Sequence, residues 1–262
     1  MVDEKVVREL AERFLNAEAS RTPITAVTSR IPSFSAEDGY HVQLKALELR
    51  KNRGEVVIGK KVGWTSRAVQ ELMGVDEPAF GHLTSVMVVP DGGVIKVSDF
   101  ARPLSVEPEI AFVMGEDLSG PGVAVPEVLK AVDGVVPAIE VPTSRMKGGF
   151  EIQDAIADNA SSGRVVFGGR KVGIGEVDLR YVGMVLEVGG EISATAAGAA
   201  VLGNPVHSVC WLANKLSEYG LGLRAGETII SGSLVAPWTV RAGDSVKVTF
   251  DRLGSVSVRF TK

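Results

Sequence analysis

Two glutamates, one residue apart, interrupt a run that is otherwise apolar: Leu104-Ser-Val-Glu-Pro-Glu-Ile-Ala-Phe-Val113. Any fold that takes this run as a strand must turn Glu107 and Glu109 to the same side, roughly 7 Å apart along the chain. Among apolar neighbours such a pair is costly unless a cation, a proton or a buried base lies between the two groups. A second apolar run, Val135-Val-Pro-Ala-Ile-Glu-Val141, carries Glu140 in the same setting. If the three glutamates converge, they form an all-oxygen site suited to a hard divalent ion such as Mg²⁺ or Mn²⁺. The plain alternative is the solvent face of an amphipathic edge strand. Pro108 favours an edge or irregular position, because it cannot donate to a ladder. Spacing alone leaves both readings open.

The remaining pattern is helical first and mostly β afterwards. Asp3 is placed to cap a helix carrying Val6, Val7, Leu10 and Phe14 at helical spacing, which Thr22-Pro-Ile-Thr25 ends. Ser35-Ala-Glu-Asp38 resembles a capping box before a second helix with Tyr40, Leu44 and Leu47 on one face, ending near Asn52-Arg-Gly54. Strands are expected over 56–62, 93–97, 106–114, 135–141, 164–167, 183–188 and 191–194. A short helix capped by Thr65 or Ser66 is expected through Met73, another over 126–132, and an irregular polar stretch over 147–160. Asn204-Pro205 opens a helix through Glu218. Val246-Lys-Val-Thr-Phe250 and Val256-Ser-Val-Arg-Phe260 alternate cleanly about Asp251-Arg-Leu-Gly-Ser255, as a hairpin with one buried face would. The 30 glycines, spread through short turns rather than a repeat, suit many strands with tight connections. The expectation is an α+β, mostly β chain: an N-terminal helical section over 1–55 and a β-rich catalytic body over 56–262 with a few inserted helices.

A length of 262 residues and 45% hydrophobic content support a sizeable core. A net charge of −4, dispersed along the chain, offers no basic field for nucleic acid. The single cysteine, Cys210, excludes an intrachain disulfide and a multi-cysteine metal site. No apolar segment reaches the length of a membrane span, and the N-terminus lacks the basic start and apolar stretch of a signal peptide, so a cytoplasmic location is expected.

Other residues carry weaker signals. Strict alternation would turn one of Lys60 and Lys61 inward, and a desolvated lysine near a metal can act in acid–base chemistry. Two solvated lysines at a strand end are the alternative. Asp158-Asn-Ala-Ser-Ser-Gly163 is a dense polar patch suited to binding a carboxylate or phosphate, or to ordinary turns. Ser231-Gly-Ser233 could offer hydroxyl or backbone N–H groups to a ligand, or simply end a strand in a turn. His41, His82 and His207 have no metal-ligand spacing and are expected to be structural.

Six ordered segments together carry a resemblance. They are Gly59-Lys-Lys-Val-Gly-Trp-Thr-Ser66, Gly74-Val-Asp-Glu-Pro-Ala-Phe-Gly81, Glu107-Pro-Glu-Ile-Ala-Phe112, Pro137-Ala-Ile-Glu-Val141, Ala157-Asp-Asn-Ala-Ser161 and Ile230-Ser-Gly-Ser233. The chain resembles the 2-keto-4-pentenoate hydratase and 4-oxalocrotonate decarboxylase family of the fumarylacetoacetate hydrolase superfamily, from about residue 20 to the C-terminus. The resemblance implies a mixed β-roll with an N-terminal helical part, and Mg²⁺ or Mn²⁺ held by Glu107, Glu109 and Glu140. It places Lys61 on the active-site lysine, and Asp158, Ser161 and Ser233 on loops lining the substrate pocket. It further implies a small 2-oxo or 2-hydroxy unsaturated acid as substrate and a homo-oligomer. Association with a sequential enzyme of the meta-cleavage pathway for aromatic compounds is compatible with it.

The two activities of that family differ in what occupies the distal pocket. Trp211-Leu-Ala-Asn214 and Ile230-Ser-Gly-Ser-Leu234 look like the hydratases, and Val89-Pro-Asp-Gly-Gly-Val94 like the decarboxylases. Many hydratases carry an aspartate where this chain has Ala79, and Pro108 replaces the usual alanine between the glutamates. The balance favours a lyase that hydrates 2-hydroxypenta-2,4-dienoate, with 2-oxo-3-hexenedioate decarboxylation the alternative. A metal-dependent C–C hydrolase would call for a His–Glu pair that is not found. A non-catalytic binding protein is disfavoured by the intact Lys61 and three glutamates.

Overall fold

A computed structural model describes residues 2–66, 70–71 and 74–262. The short helix expected through Met73 falls largely outside them. Helix α1 (Glu4–Ser20) starts where the Asp3 carboxylate accepts from the Val6 N–H, and buries Leu10, Ala11, Phe14 and Leu15. Helix α2 (Ala36–Asn52) starts at the Ser35/Asp38 capping box. Its buried face is centred on Tyr40, Gln43, Ala46 and Arg50, leaving Leu44 and Leu47 half-buried on its flanks. Gln43 tolerates burial because its amide is used fully. Its Nε2 donates to the Phe80 and Ile156 carbonyls, and its Oε1 faces His82 Nδ1 at 3.1 Å. The amide orientation therefore assigns the imidazole proton to Nδ1. His82 is a neutral structural histidine whose pKa burial lowers to about 3.

The strands, in chain order, are β1 (Ile24–Thr25), β2 (Val57–Gly63), β3 (Ala79–Thr84), β4 (Val88–Val89), β5 (Gly93–Lys96), β6 (Leu104–Met114), β7 (Val132–Val141) and β8 (Met146–Lys147). They continue with β9 (Arg164–Phe167), β10 (Gly183–Val188), β11 (Glu191–Ala197), β12 (Thr228–Ile230), β13 (Trp238–Val240), β14 (Ser245–Phe250) and β15 (Gly254–Thr261). The larger sheet is ordered β3-β2-β12-β6-β7-β9-β4, with β13 also paired to β6. The second is ordered β11-β10-β14-β15-β5, and β1 pairs with β8 in parallel. The hairpin read from the terminal alternation is β14–β15, in register at Val246↔Val258 and Val248↔Val256.

Ile110 and Phe112 of β6 and Ile139 of β7 join the main core with Leu212 and Leu216 from the Val206–Ser217 helix and Val246 and Val248 of β14. The Asn204 side chain accepts from the Val206 N–H, the first of that helix. The opposite face of β6 and β7 carries a smaller cluster with Ala111, Ala138, Val165 and Ile230. Helices α1 and α2 form a separate cluster with Met146 and Ala157, the latter on a helix over Ile152–Ala157. That helix lies inside the stretch expected to be irregular. Asp154 stabilises it by accepting from the Glu151 N–H while also binding Thr28. The result is the curled mixed-sheet α+β fold expected from the sequence. No helix among the described residues is long and apolar enough to cross a membrane.

Candidate active site

Strand pairing brings the three glutamates together. Antiparallel β6 and β7 set Glu107 opposite Glu140 and Glu109 opposite Ala138. Opposed residues share a face of the sheet, as do residues two apart, so all three carboxylates project from the side that carries Ala111 and Ala138. Each offers an oxygen within 4.8 Å of the others. Glu109 and Glu140 are fully buried, and Glu107 is half-buried.

The edge position favoured by Pro108 is not what the structure shows. Strand β6 is central, and the proline fits through a local gap. Pairing with β13 ends at Val106 and pairing with β12 begins at Ala111. Between them the Pro108 carbonyl accepts from Leu234 N–H, so the missing proline N–H falls on the side where no strand needs it. The loop filling this gap supplies Gly232, whose N–H donates to Glu109 Oε2 at 2.7 Å. Gly232 has φ +95°, and a Cβ there would lie 2.3 Å from Thr65 Oγ1, so only glycine lets the loop close on the site.

Both lysines of β2 are buried, Lys60 at 4% and Lys61 at 5% exposure, on opposite faces. Lys60 meets both oxygens of Glu227 at 2.7 and 2.6 Å. Lys61 turns to the carboxylates. Its Nζ lies 3.1 Å from Glu140 Oε2 and donates to the Ala160 carbonyl at 2.9 Å. The pair reads neither as two solvated lysines nor as one buried and one free.

The electrostatics of the trio are unbalanced. Burial and the Glu140 carboxylate push the pKa of Glu107 up to about 7, with Lys61 opposing them. Burial and its two neighbours raise Glu109 well above the carboxylate range. Burial also raises Glu140, against Lys61. Lys61 is desolvated, yet the three carboxylates outweigh burial and raise its pKa. Glu109 Oε1 and Glu140 Oε1 have no hydrogen-bond partner, and Glu140 Oε2 has only its ion pair with Lys61. Clustered acceptors without donors, facing a single ammonium, fit a hard divalent cation.

Lys61 and Glu107 open into a cleft of about 710 Å³, walled by Trp64, Phe150, Ser161 and Ser233 among others. Ser161 and Ser233 thus both face this cleft. Asp158 is not among the lining residues. It is buried beneath the turn, where its Oδ2 accepts from the Arg145 N–H at 2.7 Å and its Oδ1 lies 3.4 Å from the Arg145 guanidinium. Two groups at the site are backbone atoms: the Gly232 N–H, in the segment expected to offer such groups, and the Ala160 carbonyl, which the sequence does not mark.

The fumarylacetoacetate (FAA) hydrolase C-terminal family model matches residues 55–261. The chain belongs to the fumarylacetoacetate hydrolase family. Within it, 4-oxalocrotonate decarboxylase of Pseudomonas putida is 42% identical over 255 residues, covering 97% of this chain and 96% of that protein. The 2-hydroxypent-2,4-dienoate hydratase of Pseudomonas putida is 44% identical over 221 residues, covering 84% of this chain and all of that protein. The structure of 4-oxalocrotonate decarboxylase from Pseudomonas putida G7, complexed with magnesium and adipate, superposes with a TM-score of 0.97 at 41% identity, covering 99% of each chain. Similar family members thus carry hydratase and decarboxylase names.

Proposed function

We propose that this chain is a divalent-metal-dependent lyase that hydrates 2-hydroxypenta-2,4-dienoate to 4-hydroxy-2-oxopentanoate in the meta-cleavage breakdown of aromatic compounds. One observation carries the reading: three converging carboxylates with unpaired buried oxygens face a single lysine at the wall of a substrate-sized cleft. Glu107, Glu109 and Glu140 would hold the ion, Mg²⁺ or Mn²⁺, both hard cations suited to oxygen ligands. When bound, such an ion supplies Lewis-acid polarisation of a carboxylate and an adjacent 2-oxygen. Lys61 Nζ, fixed between Glu140 and the Ala160 carbonyl, would orient that oxygen by donating to it and would move a proton there. Ser161 and Ser233 would position the acid within the cleft, and Trp64 and Phe150 would exclude water from its apolar wall. Protonation at C5 gives the unsaturated ketone, and water then adds at C4. Residues 1–55 serve this reading as a helical section beside the catalytic body of 56–262. A homo-oligomeric state belongs to it and is checked by light scattering.

One feature favours decarboxylation of 2-oxo-3-hexenedioate as a second reading. Ala79 pairs with Gly63, two residues from Lys61, so position 79 shares the face of the lysine and offers only a methyl group. The aspartate many hydratases carry there is a candidate for activating water, which decarboxylation does not need. The purified protein with Mg²⁺ is given each acid separately, and ultraviolet loss and CO₂ release are followed. Dienoate consumption without CO₂ establishes the hydratase. CO₂ from the diacid with the dienoate untouched establishes the decarboxylase, and inertness towards both rejects the proposal.

A further inference from the structure

Three consecutive non-glycine residues, Asn159, Ala160 and Ser161, hold left-handed backbone angles, with φ of 55°, 48° and 58°. Such conformations are strained for non-glycine residues, less so for asparagine than for alanine or serine, and persist where the surroundings hold them. The Asn159 side chain ties this turn to the neighbouring sheet. Its Oδ1 accepts from the His82 N–H at 2.7 Å, and its Nδ2 donates to the His82 carbonyl at 2.9 Å. Strand β3 is the edge of the larger sheet, so this amide completes the edge as one residue of a further strand would.

The fit is close. A Cβ at Gly81 would lie 2.4 Å from the Asn159 carbonyl oxygen, so the turn reaches β3 only because residue 81 is glycine. At its far end the Ser161 carbonyl accepts from the Thr143 N–H at 2.8 Å. The middle residue presents its carbonyl to the site: Ala160 O receives Lys61 Nζ at 2.9 Å, on the strand next to the one the asparagine grips.

We propose that Asn159 is a positioning residue of this site: its amide, clamped to both backbone groups of His82, holds the left-handed turn whose Ala160 carbonyl fixes the Lys61 ammonium beside Glu140. The proposal rests on the reading above in that Lys61 must act on substrate. Ordinary turn-making predicts a loss of stability from Asn159 substitution, whereas positioning predicts a loss of turnover that runs through the lysine.

The variants are Asn159→Gly, which accepts positive φ but has no clamp, and Asn159→Asp, which keeps the acceptor for the His82 N–H and loses the donor. Turnover of the dienoate and of the diacid is measured with Mg²⁺. Acetylation of Lys61 is timed by mass spectrometry without added metal. For Asn159→Gly we expect kcat to fall about 10- to 100-fold with KM nearly unchanged, since small misplacements of a reacting group carry that penalty. Lys61 should acetylate faster, and Asn159→Asp should fall between. Gly81→Ala should reproduce the effect by displacing the turn from β3. Unchanged kcat and unchanged acetylation in Asn159→Gly overturn the proposal. So does a kcat loss with Lys61 acetylation unchanged, because the effect would not pass through the lysine. Should the wild type consume neither acid, the functional reading fails, and acetylation alone decides whether the clamp holds Lys61.

Discussion

Replacing Glu109 by glutamine should stabilise the metal-free protein while removing its response to Mg²⁺. The three carboxylates offer oxygens no more than 4.8 Å apart. At an effective dielectric constant near 20, two charges at that separation repel by about 3 kcal/mol. Taking up a proton is the other way to relieve the repulsion. At pH 7, from the ordinary carboxylate value of 4.5, that costs about 3 kcal/mol as well. Either route gives the same scale for what Glu109 withholds from the metal-free fold. Glutamine keeps the oxygen that accepts from Gly232 N–H, and its amide N–H groups can donate to the Glu140 oxygens that now lack donors. A gain of about 3 kcal/mol corresponds to a rise of roughly 5–10 °C in Tm for a chain of this size. The wild type should instead gain about 2.7 kcal/mol from Mg²⁺ at a hundred times its Kd. Calorimetry of both proteins, stripped of metal and then titrated with Mg²⁺, reads both effects. A variant that melts below the wild type without metal, and rises equally with it, refutes both the repulsion and the metal role of Glu109.

Three further outcomes are expected. Lys61→Ala should lower kcat by about 100-fold or more while leaving Mg²⁺ affinity unchanged or tighter, as isothermal titration would show, because a competing cation leaves the carboxylates. His82 is held neutral down to about pH 3, below its ordinary value of 6.5. The unfolded chain takes up the proton first, so this part of the stability is complete above pH 6.5 and is lost as pH falls towards 3. Relative to His82→Asn, wild-type stability from urea unfolding should fall by about 1.4 kcal/mol per pH unit across that window. Arg145→Met should cost about 3–5 kcal/mol in the same assay, since it strands the buried Asp158 and removes a partner of Glu18.

The parts of this molecule that sequence reveals are those where one face is buried and the other is not. Strands β14 and β15 alternate because their outward residues meet solvent, and Glu107, Glu109 and Glu140 stand out because carboxylates break apolar runs. Strand β3 is buried along all six residues, so Ala79-Phe-Gly-His-Leu-Thr84 shows no alternation to read. Helix α2 hides its inward face because Gln43 and Arg50 are buried by satisfied hydrogen bonds rather than by being apolar. Pro108 by itself suggests an edge strand, and only the break between β12 and β13 on the same side of β6 makes a central position tolerable. Asp158 lies in a polar motif that suggests a pocket residue, yet its carboxylate turns inward onto Arg145, a contact the local sequence does not show.

Buried charge alone does not single out the site. Arg50 bonds Glu18 and Glu55, and Arg145 contacts Glu18 and Asp158, which makes a largely buried network, with Glu18 half-exposed at its centre, richer in charges than the carboxylate trio. Lys60 and Glu227 form another pair one residue from Lys61. In each of these every cation has its carboxylate and the donors are used. Burial there is an expense of the fold, met locally. The trio differs in sign and in saturation, with three carboxylates to one ammonium. Among the described residues, the buried side-chain atoms with no hydrogen-bond partner are Glu109 Oε1, the two oxygens of Glu140 and the hydroxyl of Ser162. Three of the four belong to the trio, and the fourth follows the turn that holds Lys61. A fold that satisfies its buried polar groups elsewhere leaves them open where a ligand completes them. That imbalance, more than depth of burial or the number of charges, separates the candidate active site from its structural neighbours.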